Sequence, residues 1–400
     1  MRHPRLVALL FISSTFALLS ACHHESDELS EPETILTVQV DADYKGIWDS
    51  WIIASDLNGE LLDAKPYTPG QTVSLATTKA VDKMNVTFLG YNPDQEVGAS
   101  FDTYTGIAKG TTLHFAASPS EPMTESNATF KIRNYTQTGL VFSNGSSNYN
   151  SHSSFNGVEL DVDFTFFDSP TDILMSHYRE GVPVYNMTKG VVDGDVFELD
   201  FATDFVPVPH QFQLDFDGKN MGWIMGTDAT RKRYWEIINT ARLINTGYST
   251  DHPMLGYIDG FDAYLMSVSN SGANGSVYYS KQGAINSSPA IPSFIFSLAN
   301  GDMQALSFNF SEDYTYYRAS WSDGLHASWV IHAPKGVAVQ SLTALPAELA
   351  AKFPNLDLKK LSFKGISFTK VVEGKTYLET VPGVSPGDPP TFEHYIYTPN

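Results

Sequence analysis

The chain has 400 residues, 42% of them apolar and 13% aromatic, enough to bury several cores of ordinary size. Its 45 acidic and 25 basic side chains give a formal charge of −20. That charge argues against nucleic acid and against anionic lipid headgroups as surface partners. A single cysteine, Cys22, excludes an internal disulfide and a thiolate zinc site, so stability rests on packing.

Residues 1–21 read as a signal peptide. Arg2 and Arg5 supply a charged start, and Leu6 to Leu19 is an apolar run broken by Ser13, Ser14 and Thr15. A membrane span needs about 20 apolar residues to cross ~30 Å, and this run is shorter. Leu19-Ser20-Ala21-Cys22 resembles the lipobox of bacterial lipoproteins. The resemblance implies cleavage before Cys22 and lipidation of its sulfur, with palmitate among the acyl chains, and so a membrane partner held through an N-terminal lipid. Removing residues 1–21 takes away two arginines and no acid, which leaves −22. Residues 22–33 are polar and acidic and read as a flexible tether. His23 in place of Asp after the cysteine, and the acids Glu25, Asp27 and Glu28, resemble sorting to the outer membrane and the cell surface.

From Ile35 the chain alternates. Leu36, Val38 and Val40 take one side, Thr37 and Gln39 the other, as in a half-buried strand. Trp51 to Ala54 follows, then the turn signal Asp56-Leu57-Asn58-Gly59, and further strands at Val73 and at Met84. A matching order recurs with Val158, Leu160 and Val162, Gly181, Gly194, Phe197 and Leu199, at an offset of 122 that drifts to 126. The expected organisation is therefore all-β: a β-sandwich unit over 34–117 and its repeat over 125–217. In general pattern these units resemble immunoglobulin-like sandwich domains of secreted bacterial proteins, a likeness that carries no function. Ala117 to Asn127 has linker chemistry, and Asn144 to Asn156 reads as a long surface loop. Thr230 to Ile244 fits a helix or a strand.

Residues 218–372 show regularly spaced strands and are expected to form a larger β-sandwich domain. One short helix is predicted near 345–353. Pro346 starts it, Leu345, Leu349 and Phe353 share a face, and Pro354 ends it. Residues 373–400 read as a Pro/Gly-rich tail with a terminal strand at Tyr395 to Tyr397.

No nucleophile elbow, zinc helix or phosphate-binding glycine loop occurs, so no catalytic residue, metal or cofactor is assigned. His326 and His332 lie six apart, about 20 Å along a strand, too far to share a metal. Paired carboxylates for glycoside hydrolysis come from distant positions, and 45 acids leave the pair unidentified. The remaining lead is aromatic. Tyr314, Tyr316 and Arg318 alternate with Tyr317, Ala319 and Trp321, and Trp329 with His326 lies on the next strand. A face bearing Tyr314, Tyr316, Arg318 and Trp329 would stack on a sugar ring. The expected function is a membrane-anchored, non-catalytic envelope or surface protein for binding or adhesion, with glycan or an envelope protein as partner. Its alternatives are a glycan-active hydrolase with its site in 218–372 and an accessory subunit of an envelope complex.

Overall fold

The computed structural model describes residues 31–45, 49–91, 98–117, 124–137, 139–146, 149–214, 219–241, 252–272, 275–285, 292–337, 342–354, 356–373, 376–384 and 391–399. The signal segment, Cys22 and nearly all of the tether lie outside these residues. The fold is all-β, with open sheets and one α-helix among the described residues.

The first unit contributes β1 (Glu33–Val40), β2 (Asp49–Ser55), β3 (Leu61–Tyr67), β4 (Thr72–Thr77), β5 (Lys83–Tyr91), β6 (Ala99–Ala108) and β7 (Thr111–Phe115). A three-stranded sheet, β4–β1–β7, lies over β3–β2–β5–β6. The alternation of β1 buries Leu36, Val38 and Val40 against Ile52, Val86 and Ile107. The second unit contributes β8 (Ser126–Arg133), β9 (Val141–Ser143), β10 (Tyr149–Phe155), β11 (Glu159–Phe166), β12 (Thr171–Arg179), β13 (Val182–Val191), β14 (Val196–Asp200) and β15 (Val206–Pro207). Its sheets are β10–β11–β8–β14 and β15–β13–β12–β9, around a core that includes Phe130, Phe142, Phe164 and Phe166. The stretch expected as a loop over 144–156 therefore contains a strand, β10. It is an edge strand with exposed side chains, which is why its composition looks like a loop.

The two units share a pairing scheme, though not at the expected offset. In each, the first strand pairs antiparallel with the fourth and parallel with the seventh. Gly110 N–H donates to the Ile35 carbonyl (2.8 Å), and Gly194 N–H donates to the Asn127 carbonyl (2.7 Å). Both glycines have positive φ. Ile35 and Asn127 are 92 residues apart. The offset of 122 instead aligned β1 with β11, because any half-buried strand alternates. Val158, offered as the match to Leu36, is 61% exposed and precedes its strand. One strand differs: β3 pairs with β2, whereas β10 pairs with β11 in the opposite sheet.

The rest supplies β16 (His210–Gln213), β17 (Lys219–Thr227), β18 (Tyr234–Asn239), β19 (Met254–Tyr257), β20 (Ala263–Gly272), β21 (Gly275–Gly283), β22 (Phe296–Asn300), β23 (Ser307–Phe310), β24 (Tyr316–Ser322), β25 (Ala327–Pro334), α1 (Ala347–Lys352), β26 (Ser362–Glu373) and β27 (Thr391–Thr398). These do not make a separate sandwich. Eight of them continue the sheet of the first unit, in the order β18–β17–β20–β21–β27–β26–β24–β25–β6–β5–β2–β3. The join is a parallel pairing of β25 with β6, where Trp329 stacks on Phe101 at 4.4 Å. The expected tail is also different. β27 lies between β21 and β26, inside the sheet.

One face of this sheet carries the largest core. Trp51, Phe101, Trp321, Trp329, Ile331 and Phe368 bury there. The β22–β23 hairpin, α1 with its buried Leu349, and the β16–β19 pair supply side chains to the same core. At ~25 cal/mol/Å², burying a Trp or Phe of about 150–250 Å² stabilises by roughly 4–6 kcal/mol before entropy. The second unit docks at the β18 end. Ser143 Oγ donates to the Tyr234 carbonyl (3.2 Å), Tyr234 N–H donates to the Gly145 carbonyl (3.0 Å), and Leu174 and Tyr178 enter the main core.

Candidate functional site: the open face of the long sheet

Alternation along a strand sends every second side chain to the face opposite the core. Direct pairing places these residues in rows. Tyr316, Thr369, His394, Ser280, Ser267 and Trp223 form one row across six strands. Arg318, Ser367, Ile396, Tyr278, Ser269 and Met221 form a second. Val371, Phe392, Gln282, Leu265 and Met225 form a third. Six strands at ~4.8 Å spacing make a face about 24 Å across. Its hydroxyl and amide residues are small or lie low, with Ser267, Ser280, Gln282, Ser367 and Thr369 buried. Tyr316, Tyr278, Trp223, Phe392, Leu265, Ile396 and Met225 rise around them, half-buried, and belong to none of the three cores.

Charge gathers where this face meets the first unit. Arg318 is exposed and stands in register with His332. The His332 ring stacks on Tyr104 at 4.3 Å, and its Nε2 lies 3.1 Å from Asp102 Oδ1. Tyr377 borders the patch. Its hydroxyl accepts from Thr105 N–H (2.9 Å) and donates to the His332 carbonyl (2.8 Å), and burial pushes its pKa up to about 12. The His394 ring has Nδ1 2.7 Å from Thr369 Oγ1. Burial first, and the Arg318 charge second, push His394 down to about 4, so it is neutral at physiological pH.

The face brings together two of the four residues expected to carry a ligand, Tyr316 and Arg318. Trp329 is a correction. It is fully buried, its Nε1 donates to Thr103 Oγ1 (2.8 Å), and no ligand reaches it. Tyr314 precedes β24 and turns to the core side, against Phe310, Phe368 and Tyr317. His326 is exposed, outside the strand, and bound to Asp323. Sequence reasoning missed Trp223, Tyr278, Phe392 and His394. Each alternates within its strand, but nothing local shows that the three distant strands, β17, β21 and β27, share a sheet with β24.

Among the described residues no group of three or more His, Cys, Asp and Glu side chains is placed to hold a metal ion. A cavity of about 790 Å³ opens on the core side beside α1. Its walls mix aliphatic side chains, Leu345, Leu356, Leu358 and Leu361, with polar ones, and its acids Asp302 and Asp357 accept from the backbone N–H groups of Gln304 and Lys359. Its lining carries one aromatic ring, Phe353, among the described residues. The open face differs, combining apolar rings with hydroxyls, an amide and a guanidinium. That mixture makes the open face the candidate site. Comparison with protein-family models, curated proteins and solved structures finds no match to this chain.

Proposed function

We propose that this is a lipid-anchored protein of the bacterial cell envelope that binds a glycan, without catalysis, on the open face of its long sheet. One observation carries the reading: seven large side chains stand only partly buried over a hydroxyl-bearing floor and belong to none of the three cores. Aromatic faces take the C–H faces of sugar rings, and the exposed Arg318 guanidinium and the Tyr278 hydroxyl exchange hydrogen bonds with sugar hydroxyls. A contiguous apolar surface of this kind marks an interaction site. The lipobox at Leu19–Cys22 supports the anchor, with two or three acyl chains holding the protein where one gives marginal binding. His23 and the acidic tether support placement at the outer membrane, facing the cell surface. The two units with a common pairing scheme support a duplicated sandwich of the immunoglobulin-like kind.

The test is a polysaccharide and glycan array with residues 26–400. Retention of at least one glycan is expected, with Trp223→Ala and Tyr278→Ala each weakening it about tenfold, the ~1–1.5 kcal/mol of an aromatic contact. No retained glycan alongside a reproducibly captured envelope protein would favour the accessory-subunit reading. Release of new reducing ends would favour the hydrolase. For the anchor, Cys22→Ala is expected to leave the membrane fraction, and its persistence there after a high-salt wash would refute lipidation.

A further inference from the structure

A second concavity lies between the second unit and the β17–β18 end of the long sheet. It is a cleft of about 350 Å³. Tyr185, from β13, lines it together with Trp235 and Phe261. Trp235 pairs with Gly226 and Phe261 packs over that glycine, so the cleft opens on the side opposite Trp223 and the open face. The two sites are separate.

The aromatic wall is built before any ligand arrives. Trp235 Nε1 donates to the Asp172 carbonyl (3.3 Å), and the Arg233 guanidinium sits 5.9 Å from the indole centroid. Phe261 lies 5.5 Å from Trp235. Its ring occupies the place a Cβ at residue 226 would take, 2.2 Å away, so only glycine allows this packing. The polar rim is fixed as well. Thr230 Oγ1 donates to Asp228 at 2.9 Å, with Lys232 N–H at 3.3 Å. Burial raises the Asp228 pKa, but these hydrogen bonds together with those from Arg233 and Arg231 outweigh it and hold the group below its ordinary value, as an ionised acceptor. Asp262 is exposed beside it.

We infer that this cleft is a second binding site, for one neutral pyranose unit, with the ring stacked on the Tyr185–Trp235–Phe261 wall and its hydroxyls donating to Asp228 and Asp262. The volume lies near the lower end of ligand pockets, ~300–1,000 Å³, which suits a terminal sugar rather than a long chain. The lining holds four aspartates and one lysine, Lys189, so uronate, sialate and sulfated sugars are disfavoured. A preformed wall lowers the ordering cost of binding a weak ligand.

The test uses the full chain in a detergent without a sugar headgroup. Methyl glycosides of glucose, galactose, mannose and N-acetylglucosamine are titrated by calorimetry and saturation-transfer NMR, with glucuronate as the anionic control. At least one neutral glycoside is expected to saturate and glucuronate not to. Tyr185→Ala is expected to weaken binding at least tenfold and Asp262→Asn at least threefold, and both losses are expected to persist in a Trp223→Ala background, where the open face is disabled. Asp262 is a surface side chain, so its variant keeps the test decisive if Tyr185→Ala fails to fold. Absence of saturable neutral-sugar binding overturns the cleft site. So does binding that Trp223→Ala abolishes and Tyr185→Ala spares, an outcome that leaves the open-face proposal standing.

Discussion

A histidine half-buried beside an arginine is easier to keep neutral than to charge, and His394 is in that position. Its folded value of about 4 lies below the ordinary 6.5. As pH falls, the unfolded chain therefore takes up this proton first, and unfolding gains. The contribution to stability is complete above about pH 6.5, declines as pH drops through the interval, and loses nothing further below about 4. At 1.36 kcal/mol per unit the interval is worth roughly 3 kcal/mol. Urea unfolding at pH 7 and pH 4.5 is expected to show the parent losing about 2 kcal/mol more than His394→Gln. Equal losses in both proteins would mean that the ring is not kept neutral. At this scale the sequence was partly legible. Alternation correctly split Tyr316 and Arg318 from Tyr317, Ala319 and Trp321. It could not warn that Trp329 is covered, because the ring that covers it, Phe101, is 228 residues earlier.

Turns and edges decide how the elements fit, and two glycines separate conformational cost from steric cost. Gly110 and Gly145 both have φ near +78. A Cβ at Gly110 meets nothing within 4 Å, whereas one at Gly145 would lie 2.4 Å from the Trp235 ring. Gly110→Ala is expected to cost only the left-handed penalty, about 1–2 kcal/mol. Gly145→Ala adds overpacking at the docked second unit, for about 3 kcal/mol or more in total. Denaturant midpoints for the two variants compare them directly, and equal shifts would show that the β9–β18 junction has room to spare. The short helix was legible because Pro346, Leu349 and Pro354 punctuate it locally. The place of β27 was not. Thr391 to Thr398 follows a Pro/Gly-rich stretch and looks terminal, yet it pairs on both sides. Deleting 391–400 would bare the edges of β21 and β26. Such a chain is expected in the insoluble fraction, and a soluble monomer of normal stability would refute the central placement.

The whole molecule behaves as its longest sheet dictates. Residues from both ends of the chain share one hydrogen-bonded ladder and the core on one of its faces, so the first unit, which has a core of its own on the other face, does not bury both faces alone. Trp51, Ile53, Leu89 and Phe101 belong to the first unit in sequence but to the main core in space. The second unit has a phenylalanine-rich core of its own and meets the rest mainly through β9, β12 and their neighbours. Cooperative unfolding follows shared burial rather than chain order. Native-state hydrogen exchange is therefore expected to give amides of β6 and β25 the same opening free energy, with β8 and β11 free to open at a lower one. A first unit that opens independently of β25 would show that the parallel join is weak, and His332 on β25 would then part from Asp102 and Tyr104 on β6. If the join holds, the long sheet is one rigid platform for the binding proposed above. A flat, preordered surface loses little entropy on binding, which is what a weak, repetitive ligand such as a polysaccharide requires.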